Sequence, residues 1–377
     1  MKTLVLAGGG HAHLHVLKSL MAGAWPDVEV VLISPYNRQI YSGMVPGWMA
    51  GHYRLEQCAA PLLPLVSAAR VRFVHDRVTG INAGQRIVHT AHSGDIPYDV
   101  LSLDAGAGID VSFLAASEAA LLPIRPLENF VLAWEEQLQG FEQQGRASLA
   151  VVGGGAAGVE LALAARHRLA ALLGEAQVKV KLIAGDELMA GHAANVVGRT
   201  KKVLGRQGVE VIYGYAAGAP GGLQLADGRP IECDCIIAAT GVRPAGWLAE
   251  TGLALCDRGF VAVGDGQQSI SHHEVFAAGD ISSRIDAPHA RSGVYAVRAG
   301  PVLSRNLHLA LMGRPPASYQ PQKRSLYLLA TGSRRAIMSW GGFVAEGAWA
   351  WYWKDSIDRR FMRQYDLAPM GSLGRDK

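Results

Sequence analysis

Cysteine is scarce in this chain, and the few that occur lack the spacing of a catalytic or metal-binding set. Cys58, Cys233, Cys235 and Cys256 form no Cys-x-x-Cys and no Cys-x4-Cys arrangement. That argues against a redox thiol pair and gives no reason to expect a metal site. All four are read as reduced and structural, with Cys233 and Cys235 sharing one face of a strand. Charge is sparse as well: Asp, Glu, Lys and Arg make up 18% of the chain and the net charge is +4. No basic module stands out, so nucleic acid is not an expected partner. An apolar content of 49% excludes a disordered chain. No apolar run approaches the length of a membrane-spanning helix, and Met1-Lys2 leads straight into a strand, so neither a spanning segment nor a secretory signal is expected. These absences point to the cytoplasm, with peripheral contact at the inner face of the membrane left open.

Glycine, by contrast, is abundant and clustered. Thr3-Leu-Val-Leu-Ala-Gly-Gly-Gly-His-Ala-His-Leu-His15 reads as a strand, a tight turn and a helix N-terminus, the geometry that holds a dinucleotide pyrophosphate. Gly8 permits the turn, Gly10 lets the backbone approach the phosphates, and the unpaired N–H groups of the first helical turn face the negative charge. His13 stands where a third glycine belongs. It either packs at the helix–strand crossing or adds a donor near the phosphates. A second copy, Leu149-Ala-Val-Val-Gly-Gly-Gly-Ala-Ala-Gly-Val-Glu160, has Gly153, Gly155 and Gly158 all in place. Each copy is followed by an apolar strand (28–33 and 178–183) and then by a return strand (within 94–106 and 227–241). The two halves thus repeat over roughly 100 residues. Two such units imply two nucleotides, and electrons passing between them.

Ser34 ends the second strand, where many dinucleotide folds place an acid for the ribose 2′-OH, and Arg38 is near enough to meet phosphate. Residues 36–53 hold glycines, aromatics, Met and Pro46, too irregular for a regular element. They read either as a buried loop or as a wall against a flat ring system. Short β-branched runs over 70–104 read as a small antiparallel insert, and 127–144 as an amphipathic helix. In the second copy Ala184 occupies the place of the ribose acid, so NADH and NADPH are not distinguished. Residues 274–281 read as a strand ending at Gly279 and Asp280, which would admit a ribityl chain and accept its hydrogen bonds. A long helix is expected from Pro288, its first N–H groups aimed at a flavin's N1–C2 edge. The tail changes character. Residues 326–330 and 336–340 read as a hairpin, and 349–353 pack three Trp and one Tyr beside basic residues. That segment suits a membrane surface through Trp349 and Trp353, with Lys354, Arg359 and Arg360 at headgroup level, or packing on the chain's own core or on a second copy in a homodimer.

Taken together, these motifs resemble the two-dinucleotide-binding-domain flavoproteins of the pyridine nucleotide–disulfide oxidoreductase family. Gly8-Gly-Gly-His-Ala-His13, Tyr41-Ser-Gly-Met-Val-Pro-Gly47, Gly293-Val-Tyr-Ala-Val-Arg298 and Lys354-Asp-Ser-Ile-Asp-Arg-Arg-Phe-Met362 are similar to the flavoprotein module found with selenide, water dikinase. Type II NADH dehydrogenases and sulfide:quinone reductases are more distant relatives. The resemblance implies an α/β fold of two Rossmann-like, three-layer ββα domains plus a small C-terminal α+β segment. FAD would occupy 1–110 and 262–320, NAD(P)H would occupy 120–261, and 321–377 would be an interface or docking segment. It further implies FAD contacts at Gly8, Gly10, His11, Ser34, Arg38, Ser42, Ala105, Gly279, Asp280, Gly293 and Val294. NAD(P)H contacts would fall at Gly153, Gly155, Ala156, Gly158 and Gly241, with Glu160 near the nicotinamide and Pro46 at the reacting face. Single-cysteine disulfide reductases of the family carry Cys before Gly where this chain has Ser42-Gly43, and serine forms no mixed disulfide. The expected activity is therefore NAD(P)H oxidation through FAD to a quinone-like or other small acceptor. Oxidation of a reduced sulfur or selenium compound, and a non-catalytic flavoprotein partner, are the alternatives.

Overall fold

The computed structural model describes residues 1–289, 291, 293–322 and 326–367. Two five-stranded parallel sheets organise them. The first runs Val275–Ala277, Val100–Leu103, Lys2–Ala7, Val28–Ile33, Arg72–Val74. Its centre is the opening strand, paired Leu4 to Val30 on one side and to Val100 on the other. Leu4, Val5 and Leu6 are fully buried, because both faces of the sheet are covered, which is why these strands are apolar throughout rather than alternating. On one face the helices His11–Ala22 and Gly293–Leu311 pack against Leu4, Leu6 and Phe276. On the other, Val5 and Ile33 meet Ile81, Val88 and Ile96 of a three-stranded antiparallel sheet (Val78–Asn82, Ile87–Thr90, Asp95–Pro97). This is the insert expected over 70–104, and it makes the third layer.

The second sheet repeats the plan in the order Ala120–Pro123, Cys235–Ala238, Ala147–Val152, Val178–Ile183, Val209–Ile212. The helix Ala156–Leu173 covers one face with Leu149, Val151 and Leu182. Ala150, Val152 and Ile183 on the other face meet a small antiparallel sheet that includes Leu223 and Ile231. The helix read at 127–144 is present as Leu127–Gln144, burying Phe130, Val131, Trp134 and Phe141. The fold is α/β with two Rossmann-like sheets.

Several expectations need correction. Residues 36–53 are not irregular: they form a strand (Arg38–Ile40), a 3-10 turn (Ser42–Met44) and a short helix (Val45–Met49). Pro46 at the start of that helix has no N–H to lose there. Gly47 lets the Tyr53 ring close over it; a Cβ at Gly47 would collide with that ring. Cys233 and Cys235 do not share a face. The strand begins only at Cys235, which packs with Ile237, whereas Cys233 belongs to the preceding turn and packs with Ile236 and Ala238 on the opposite side. The long helix expected from Pro288 begins at Gly293, and residues 290 and 292 of its approach lie outside the described residues. The hairpin expected in the tail is present, Tyr327–Thr331 pairing antiparallel with Ser333–Trp340, and a third strand, Phe343–Gly347, extends it into a three-stranded sheet. The last helix, Ala348–Met362, packs across it through Ala350 and Trp351 and reaches the first helix's core with Phe361. Residues 323–325 and 368–377 of the 321–377 segment lie outside the described residues.

Candidate functional site

The first glycine turn sits at the C-terminal end of the central strand, where the sheet's strand order reverses and parallel α/β folds open a crevice. Gly8 has φ +100, a conformation L side chains rarely adopt, and a Cβ there would meet the Ala105 backbone nitrogen at 2.6 Å. Gly10 lies directly against the Asp104 carboxylate, and a Cβ at Gly279 would meet Asp104 Oδ1 at 2.6 Å. The turn, the Ala105 strand end and Gly279 thus converge on one carboxylate. Its Oδ2 accepts from the Ala12 N–H (2.7 Å) and the His13 N–H (3.1 Å). The first helical turn is therefore not wholly open, as its glycines suggested. Burial pushes Asp104 up to about 7, against the pull of the two N–H groups.

His13 packs at the crossing rather than facing outward. It is fully buried, with Nδ1 2.6 Å from the Gly8 carbonyl oxygen and Nε2 2.8 Å from Ser102 Oγ. At the matching place in the second turn, a Cβ at Gly158 would overlap the Gly153 carbonyl oxygen. One helix closes on its strand by lacking a side chain, the other by bonding through one. His11, at the same helix start, has a buried Nε2 with no protein partner and stands edge-on to Tyr41, ring centroids 5.5 Å apart. Burial lowers its pKa to about 4, so the ring is neutral. A neutral imidazole nitrogen, buried and unpartnered, fits a polar atom of a bound cofactor. Gly8, Gly10 and Gly279 beside it carry no side chain because the Asp104 carboxylate and the Ala105 backbone fill that space.

Other expected contacts are already engaged. The Asp280 carboxylate pairs with Arg125 at 2.7 Å. Arg38 pairs with Glu128 at 3.0 Å, so phosphate would have to compete for it. The Ser34 hydroxyl donates to the Tyr36 carbonyl (3.0 Å) and accepts the Tyr36 N–H, closing its own turn. Ser42 Oγ lies 3.2 Å from where a Gly293 Cβ would stand, which brings the 3-10 turn against the start of the long helix. Pro46 is buried beneath it, whereas Val294 is 42% exposed.

Glu160 turns toward the C-terminal sheet. Its Oε1 accepts from the Ala330 N–H at 2.7 Å, and burial pushes its carboxyl up to about 7 despite the nearby Lys354. Lys354, read in the sequence as a basic residue at headgroup level, is instead enclosed. Its ammonium donates to the Gly43 carbonyl (2.6 Å) and to Asp358 (2.7 Å) and is only 13% exposed. Arg359 likewise bonds Asp355 at 2.8 Å. Asp104, Arg125, Lys354 and Asp358 escaped the site reading. The signal for Asp104 was an acid closing an apolar strand, and for Lys354 and Asp358 a four-residue spacing on a helix.

Around the second turn, Gly153 and Gly154 floor a cleft of about 490 Å³ reaching to Ala184 and Thr240. No side chain stands within 4 Å of where a Cβ at Gly155 or Gly241 would lie, and Ala156 opens the helix beside them. The four cysteines are free. Burial raises Cys58 to about 12 and Cys233 to about 11. Cys256 alone moves down: burial, the largest single influence, raises it, but the N–H groups of Arg258 and Phe260, the Ser283 hydroxyl and the Arg291 charge together outweigh that.

Two glycine turns, each at the C-terminal end of the central strand of a five-stranded parallel sheet, define a protein of two dinucleotide-binding units. The chain belongs to the pyridine nucleotide-disulphide oxidoreductase family, whose sequence profile matches residues 2–300. Members of this family are flavoprotein oxidoreductases that bind FAD and NAD(P)H. The nitric oxide reductase FlRd-NAD(+) reductase of Aeromonas hydrophila is 34% identical over 293 residues, covering 74% of this chain and 70% of that protein. The biphenyl dioxygenase system ferredoxin–NAD(+) reductase component of Paraburkholderia xenovorans is 31% identical over 217 residues, 55% of this chain; the match spans about half (49%) of that protein's length. In fold, the chain is similar to NDH2 of Plasmodium falciparum in complex with NADH, with TM-score 0.80 at 12% identity and 97% of each chain covered.

Proposed function

We propose that the chain is an FAD-dependent NAD(P)H:acceptor oxidoreductase that works without a redox cysteine pair and delivers electrons to a quinone-like or other small acceptor. The observation that carries this reading is the buried, unpartnered His11 Nε2 at the start of the helix that follows the first glycine turn. FAD would belong to 1–110 with 262–320, NAD(P)H to 120–261, and residues 321–377 would meet the acceptor's surroundings. When bound, FAD supplies the redox chemistry, taking electrons from the nicotinamide and passing them on.

The protein's part is to hold, orient and keep water out. His11, Ser42, Gly293 and Val294 would hold the cofactor's polar edges, with Asp280 fixed by Arg125 as the acceptor for its hydroxyls. Pro46 and the short helix that it helps to open would wall the ring. Glu160, near its midpoint at neutral pH, would hold a proton for the reduced acceptor, Lys354 favouring its charged form and Asp358 opposing it. The thiols take no part: Cys58, Cys233 and Cys235 are held protonated by burial, and Cys256 has no second thiol beside it in the fold's described residues. The exposed Trp349 and Trp353, whose rings stack at 6.4 Å, would rest on a bilayer that dissolves the acceptor.

The test is cofactor content. The purified protein should be yellow and release FAD on denaturation. Gly10→Leu, which drives a side chain into the Asp104 carboxylate's place, should be isolated folded but colourless. Full FAD occupancy in that variant would show that the cofactor lies elsewhere.

A further inference from the structure

NADH and NADPH differ only at the adenosine ribose, and the rim of the second cleft faces that difference. Its floor is small and apolar, with Gly153, Gly154 and Ala184 leaving the strand ends bare. Two large aromatic rings line the same opening, Phe113 (40% exposed) and Tyr215 (65% exposed). Rings left this open beside a glycine floor offer flat apolar faces on which a purine stacks. Asp186 and Glu187 also line the rim. The Tyr215 hydroxyl donates to Asp186 Oδ2 at 2.6 Å, which fixes that carboxylate and leaves Oδ1 free to accept another donor.

A ribose 2′-hydroxyl is such a donor. A 2′-phosphate is not: at neutral pH it carries close to two negative charges and would face two carboxylates. Among the described residues lining the cleft there is no Lys, Arg or His to offset them. Ala184, at the position where the sequence led us to look for the ribose acid, has no polar group to offer. The acid stands two residues further on, carried back over the cleft by the loop whose Met189 N–H bonds the Gly154 carbonyl (2.8 Å).

Resting on the reading that the second glycine turn binds a nicotinamide dinucleotide, we propose that this cleft selects the nucleotide with a free 2′-hydroxyl. Phe113 and Tyr215 take the adenine, Asp186 takes the ribose hydroxyl, and the chain uses NADH and rejects NADPH.

The experiment is a calorimetric titration of the purified holoprotein with ADP-ribose and with its 2′-phosphorylated form, neither of which can be turned over. ADP-ribose should bind at least about tenfold more tightly, the effect of one hydrogen bond to a charged acceptor set against like-charge repulsion. Asp186→Ala should collapse that ratio and Asp186→Arg invert it. Asp186 is exposed, so neither change threatens folding. Phe113→Ala, which leaves the Tyr215–Asp186 bond in place, should weaken both fragments alike. Equal or tighter binding of the phosphorylated fragment by the unaltered protein overturns the selectivity, while the nucleotide reading stands. An unchanged ratio in Asp186→Ala overturns the role of Asp186. Binding of neither fragment overturns the nucleotide reading of the second turn and the inference with it.

Discussion

The Asp104 carboxylate caps the helix that follows the first glycine turn, its Oδ2 lying 2.7 Å from the Ala12 nitrogen. A helix start of this kind is usually read as open to a phosphate. Here a buried acid shares it, with Asp280 adding like charge nearby and His11 and His13, both lowered to about 4 by burial, offering no positive charge. The Arg125 guanidinium is committed to Asp280.

Stability should therefore depend on pH through Asp104. Its folded pKa of about 7 lies above that of an unfolded aspartate. Its contribution is fully present below the unfolded value and is lost as pH rises through about 7. Asp104→Asn imitates the neutral form at every pH. The melting temperature of the unaltered protein should fall relative to the variant's between about pH 5 and about pH 8. A constant difference across that range would mean that Asp104 is already ionised in the fold.

His13 holds helix to strand through Gly8 and Ser102. His13→Ala removes both hydrogen bonds and opens a void, and should cost about 2–4 kcal/mol in urea unfolding. FAD should still be retained, since neither ring nitrogen is free to reach a ligand. Loss of flavin without loss of stability would give His13 a binding role instead.

Glu160 gives the reaction a pH signature. If its neutral form supplies the proton, steady-state acceptor reduction should decline as pH rises through about 7. Glu160→Gln should be slower throughout and lack that decline. A variant with the same inflection would move the titrating group elsewhere.

The sequence made the sheets legible because apolar strands running into glycine turns are local patterns, and both strand–turn–helix units appear where those patterns lie. Nonlocal contacts were not legible. Nothing near Lys354 in sequence announces that Gly43, 311 residues away, will close over it, so it read as a surface cation despite Asp358 four residues on. Residues 36–53 looked irregular because the short helix Val45–Met49 is stabilised from outside, by burial of Trp48 and Met49 and by Tyr53 closing over Gly47. Cys233 and Cys235 were misread because alternation was extended to Cys233, two residues before the strand begins at Cys235.

The C-terminal helix presents Trp349, Tyr352 and Trp353 outward while burying Trp351 and Phe361. Deleting the helix would tear the core, so surface docking is better tested by point changes. The double variant Trp349→Ser, Trp353→Ser should melt within a few degrees of the unaltered protein and lose most of its sedimentation with anionic liposomes. Undiminished pelleting would release the segment from a membrane role.

The central claim is electron entry from a nicotinamide into bound flavin without thiol help. It is tested most directly by anaerobic stopped-flow mixing of the purified protein with NADH, alongside a variant in which Cys58, Cys233, Cys235 and Cys256 are replaced by Ser or Ala. Both proteins should bleach the flavin absorbance rapidly and at comparable rates. Flavin that stays oxidised in the presence of NADH and NADPH, or bleaching that vanishes with the cysteines, would contradict the account.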